Sequence, residues 1–120
     1  MKIKIYIYTL SFFFFTLSCD DIIEVVDISN ETISILAPTN NAVIDTTKVT
    51  FSWQTLEDAE KYHIQVATPS FENAIQMVLD TLVSKSNHTE ILEPKAYEWR
   101  IRGENSDYQT TYTTNSFTVE

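Results

Sequence analysis

From Glu31 onward, no window of this chain repeats its apolar residues at helical spacing; they recur at every second position instead. The run Tyr97–Gly103 is the cleanest case. Tyr97, Trp99 and Ile101 fall on one side, and Glu98, Arg100 and Arg102 on the other. Successive side chains of a strand point to opposite faces, so such a run offers one face to a core and one to water. The same pattern predicts strands at Lys48–Gln54, with Val49, Phe51 and Trp53 inward, and at Tyr62–Thr68, with Tyr62, Ile64 and Val66 inward. Thr32–Ala37 is a further strand, ended by Pro38 and the turn formers Asn40 and Asn41. His88–Leu92 is short, and Thr110–Val119 closes the chain with Thr111, Thr113, Phe117 and Val119 inward. Ile75–Val83 is less regular and admits one strand or a short helical turn. The prediction is one all-β domain of about seven short strands, with an inward set large enough to fold without disulfides.

The first residues have a different character. Lys2 and Lys4 precede an apolar run from Ile5 to Leu17, followed by Ser18, Cys19 and then Asp20-Asp21. A basic start, a short apolar stretch and a small residue before the cut make a secretory signal, and the stretch is too short to span a bilayer. Cys19 is the only cysteine, so no internal disulfide can form. Thr16, Leu17, Ser18 and Cys19 resemble the lipoprotein signal of bacteria, in the loose style of Bacteroidota. The resemblance implies cleavage before Cys19, lipid on that cysteine and anchoring to a membrane. On this reading residues 1–18 are removed, 19–31 form the lipidated cysteine and tether, and 32–120 form the sandwich. The tether is rich in β-branched residues (Ile22, Ile23, Val25, Val26, Ile28). It therefore pairs as an extra edge strand, meets a partner, or packs against the domain. Acids directly after the cysteine resemble an export signal of Bacteroidota, implying an outer-membrane, surface-exposed location.

The segment YEWRIRGEN, residues 97–105, resembles a central strand of fibronectin type III domains. Tyr97, Trp99, Arg100, Ile101 and Asn105 match, and Gly103 replaces the usual alanine. Leu92 and Pro94 resemble the lead into the tyrosine corner, one residue short in spacing. Trp53 and Tyr62 stand where that family places a tryptophan and a tyrosine on earlier strands. The resemblance spans about residues 33 to 119 and implies an immunoglobulin-like β-sandwich of about seven strands. The Ile75–Val83 region does not match. The resemblance implies no particular function, because one fold serves many roles.

The chain carries a formal charge of −9, and removal of residues 1–18 would make it more acidic still. Such a field does not attract nucleic acid. Catalysis needs a constellation, and neither His63 nor His88 has neighbours whose spacing supplies one; a non-enzyme without cofactor is expected. Glu57, Asp58 and Glu60, with Asp107 on another loop, lack the rhythm of a calcium loop, and no metal is expected. The outward face holds more. Arg100 and Arg102, with His63 and Gln65 from one neighbour and Tyr112 from the other, would put cations and an aromatic on one exposed sheet. Tyr108 and Tyr112 are candidates to stack on a sugar, and the arginines to bind hydroxyls or a carboxylate. Alternatively, the arginines simply pair with acids across strands. Asp45-Thr46-Thr47 and Asp80-Thr81-Leu82 resemble the O-glycosylation motif of Bacteroidota, which makes Thr46 and Thr81 candidate acceptors. Two functions follow as expectations: an anchored adhesion, scaffold or protein-interaction module, or a carbohydrate-binding accessory of a glycan-uptake system.

Overall fold

A computed structural model describes residues 24–120. The leader, Cys19 and residues 20–23 of the tether lie outside the described residues. Eight strands run in chain order: β1 Ile35–Ala37, β2 Ala42–Ile44, β3 Lys48–Trp53, β4 Lys61–Thr68, β5 Gln76–Val83, β6 Asn87–Ile91, β7 Ala96–Glu104 and β8 Thr113–Val119. They form a three-stranded sheet, β1-β3-β6, and a five-stranded sheet, β2-β8-β7-β4-β5. The all-β sandwich is as the alternation predicts. The strand count rises to eight because Ala42–Ile44, beyond the expected end at Pro38, forms a strand that is not expected. β1 pairs antiparallel with β3, the chain turns at Pro38–Asn41, and β2 crosses to run parallel beside β8 in the other sheet. The irregular Ile75–Val83 region is one eight-residue strand, with a register shift opposite Val66 and Ala67 that breaks its alternation.

The core lies where the period-two reading puts it. Val49, Phe51 and Trp53 of β3, Ile64 and Val66 of β4, Trp99 and Ile101 of β7, and Phe117 and Val119 of β8 are all buried. Aromatic rings join the two sheets: Phe51 meets Trp99 edge-on at 4.9 Å between centroids, and Trp53 leans on Tyr62 at 5.6 Å. Burying one such side chain stabilises by roughly 1.5–3 kcal/mol. Edge-to-face geometry adds up to about 1 kcal/mol, since the positive ring edge meets a negative ring face. Tyr97 stacks on Phe117 and donates its hydroxyl hydrogen back to the Glu93 carbonyl at 2.6 Å. That bond is the tyrosine corner that Leu92 and Pro94 announce.

One inward assignment on the last strand is corrected. Thr111 is exposed, and Thr110 is the buried threonine. Regular pairing with β7 begins only at Thr113, opposite Ile101, so residues 110 and 111 do not follow the parity of β8. The reason is a local bond pair. The Thr110 hydroxyl accepts from the Gly103 amide at 3.0 Å, and the Thr110 amide donates to the Gly103 carbonyl at 2.9 Å. Burying the hydroxyl this way satisfies a backbone donor that would otherwise cost about 1–3 kcal/mol.

The described part of the tether, from Glu24, forms no strand. It is nonetheless fastened. Ile28 is only 1% exposed, and the Asn105 side chain donates to the Val26 carbonyl at 2.8 Å and the Asp58 carbonyl at 3.2 Å. Asn105 thereby ties the tether to the β3–β4 and β7–β8 turns at one pole of the sandwich.

Candidate functional site

The outer face of the five-stranded sheet gathers most of the polar side chains expected there. Register explains why. In β4 and β7, His63 lies opposite Arg102 and Gln65 opposite Arg100. Ile64 and Ile101 pair between them toward the core, so these four side chains share the outward parity. From β5, Asp80 lies opposite Gln65 and Leu82 opposite His63. Tyr112 reaches the same surface from the segment leading into β8.

Two linked groups result. In the first, the His63 ring donates from Nε2 to the Asp80 carboxylate. Its Nδ1 lies 3.3 Å from Arg102 Nη2 and 3.2 Å from the Tyr112 hydroxyl. A guanidinium can only donate, so Nδ1 is the acceptor and the proton belongs on Nε2, facing Asp80. Arg102 also holds Glu104 through its Nε at 2.9 Å. In the second group, Arg100 donates from Nε to the Gln65 side-chain oxygen at 2.7 Å. Its guanidinium sits 4.1 Å from the Phe71 ring centroid and 4.4 Å from that of Tyr112, while that of Arg102 lies 4.7 Å from the Tyr112 ring. Cations over ring faces gain from the ring quadrupole. Phe71 is held for this contact by its amide, which donates to Glu98 at 2.9 Å.

The electrostatics follow the geometry. The hydrogen bond from His63 holds the Asp80 carboxyl below its ordinary range; desolvation opposes this, and Gln65 and the Arg100 charge add to it. Burial pushes the Tyr112 phenol up, against the pull of Arg102 and Arg100.

His63, Arg100, Arg102 and Tyr112 thus meet. Tyr108 is not brought to them: its amide and carbonyl close the turn on Asn105. His88 lies on β6 in the other sheet, beside Glu90 at 3.0 Å. The alternative that both arginines pair with acids holds for Arg102 and not for Arg100. Two members of the cluster were not anticipated. Asp80 stands on the strand whose register the sequence leaves open, and Phe71 sits in the β4–β5 loop, where alternation says nothing. Thr46 is exposed in the bend before β3, whereas Thr81 lies opposite Ile64 on the inward parity of β5. Among the described residues, no three His, Cys, Asp or Glu side chains converge as metal ligands, Glu57, Asp58 and Glu60 included. An open hollow of about 440 Å³ lies at the β5–β6 turn, lined by Leu82–Lys85 and Asn87–Thr89.

No protein-family model and no curated protein matches the chain. Solved structures do. A fibronectin(III)-like module of Clostridium thermocellum CbhA superposes with a TM-score of 0.55 at 10% identity, covering 74% of this chain and 96% of that one. A Fn3-like protein from the same organism gives 0.51 at 13% identity, covering 73% and 88%. A fibronectin type III domain of a human protein gives 0.54 at 12% identity, covering 73% and 72%. The fold is the fibronectin type III sandwich, as the Tyr97–Asn105 segment implies.

Proposed function

We propose that this protein is a non-enzymatic, lipid-anchored envelope module that displays one fibronectin type III-like sandwich for contact with another protein. The anchor is Cys19, and the location is the outer membrane, facing outward. One observation carries the interaction reading: the cations and aromatics of an acidic chain stand on an open sheet face, not in a cleft. Small-molecule sites are concave and enclose most of their ligand, whereas protein partners meet on broad surfaces rich in Arg, Tyr and Phe. A carbohydrate-binding role is less well supported. The Tyr112 ring already has two guanidiniums within 5 Å of its centroid, and its hydroxyl is on His63. A ring so engaged has less free face for a sugar.

The test is site-specific photocrosslinking in cells of the native organism. Thr114 is exposed and pairs with Arg100; Thr50 is exposed on the other sheet. A photoreactive residue at 114 is expected to give discrete protein adducts, and one at 50 far fewer. Equal labelling at both positions, or none at 114, contradicts the reading.

A further inference from the structure

Arg100 is the cation on this face that has no carboxylate among the described residues in direct contact. Arg102 has Glu104 at 2.9 Å, and Lys95 at the far turn has Glu93 at 3.4 Å. No carboxylate among the described residues lies within 4 Å of Arg100. The nearest route to an acid runs through Gln65, whose partner across the sheet is Asp80. The guanidinium is nevertheless held still. Gln65, itself only 8% exposed, fixes Nε, and Phe71 and Tyr112 pack on the guanidinium. Both Nη nitrogens lack a partner among the described residues, and neither is sealed from solvent: the sole buried unpartnered side-chain donor there is Trp53 Nε1. A fork with its orienting bond made and its Nη edge open is preorganised for a carboxylate, because little rotamer freedom is left to lose on binding.

The surroundings narrow the ligand. Met77 and Leu82 are exposed on β5 and share this face through their pairing with Ala67 and His63. The whole chain is strongly acidic, with a formal charge of −9. Its field repels a polyanion at a distance, while one carboxylate flanked by apolar groups meets little repulsion and finds apolar surface beside the fork. We infer that Arg100 is the specificity contact of the interaction face, binding a single Glu or Asp side chain, or a C-terminal carboxylate, within an otherwise apolar segment of a partner protein. This inference rests on the protein-interaction reading and names the chemistry of its partner.

The test titrates the full chain in detergent micelles with acetyl-Val-Glu-Leu-amide, followed by the NMR signals of Arg100 Nε–H and the β7 amides. Saturable shifts are expected at those signals. They weaken on the order of tenfold for acetyl-Val-Gln-Leu-amide and for Arg100→Lys, which keeps the charge and loses the fork. Gln65→Leu, which frees the guanidinium without changing charge, weakens binding in the same direction. Unchanged Trp53 and Phe117 side-chain signals in each variant confirm folding. Equal binding of the Glu and Gln peptides, or undiminished binding by Arg100→Lys, overturns the inference. So does binding of tri-galacturonic acid without the peptide, which would make the occupant a sugar acid. Crosslinks from position 114 that persist in Arg100→Lys would sink the carboxylate contact and leave the interaction reading standing; absence of those crosslinks would remove the reading itself.

Discussion

His63 and Asp80 come from different strands and meet because β4 and β5 pair with Gln65 opposite Asp80 and His63 opposite Leu82. The Asp80 side chain is half exposed, so its bond to His63 contributes little raw Coulomb energy in water. It still has a sign. Its folded carboxyl titrates below the ordinary 3.8. Its contribution to stability is therefore present above that value and is lost as pH falls through the lowered one. Urea unfolding at pH 7 and pH 3 checks this: Asp80→Asn is expected to lose less stability over that interval than the parent chain. An identical loss in both contradicts the assignment. Tyr97 has the opposite sense. Burial, with the Glu93 charge behind it, raises its phenol above the ordinary 10, so its contribution holds below pH 10 and fades as pH climbs through the raised value. Neither shift is legible in sequence. Asp80 reads as one acid among many until the register sets it beside His63, whereas Tyr97 is visible from its place before Trp99.

Strands differ in how openly the sequence declares them. β7 is legible throughout because both of its neighbours bury one face, so Tyr97, Trp99 and Ile101 alternate strictly with charged residues. β1 falls within the expected Thr32–Ala37, but β2 is not expected: it has three residues and follows a change of sheet, which no periodicity encodes. The arginines and Tyr112 could be placed on one face from parity alone, but Phe71 could not, because a loop has none. Gly103 shows how closely elements pack at the tether pole. It is the only glycine, and a Cβ built there would lie 3.2 Å from both Ala59 Cβ and Ile33 Cδ1. Ile33 can rotate, but Ala59 is held by its backbone. Gly103→Ala is expected to destabilise by about 1–2 kcal/mol through overpacking, read as a lower urea midpoint with unchanged slope. A midpoint at or above that of the parent would show that the turn yields freely. The alanine usual in this position of the fibronectin type III pattern is thus replaced where Ile33 and Ala59 close in.

At the scale of the whole molecule, the proposed anchor at Cys19 would make the tether decide what the sandwich can reach. Twelve extended residues would allow about 40 Å, but the chain is already fastened at Val26 and sealed at Ile28. From Cys19 to Val26 the limit falls to roughly 25 Å. The pole bearing Asn105 and the β3–β4 turn would then face the bilayer, with the β4–β5 loop at the other end of β4. The Arg100 face would stand along the side, open to a neighbour in the same membrane. This arrangement rests on the anchor, and intact-mass spectrometry of the protein extracted from membranes of its native host tests it most directly. The account predicts a chain that begins at Cys19 and carries acyl groups on that residue. A chain that still begins at Met1, with a free thiol at Cys19, would contradict it.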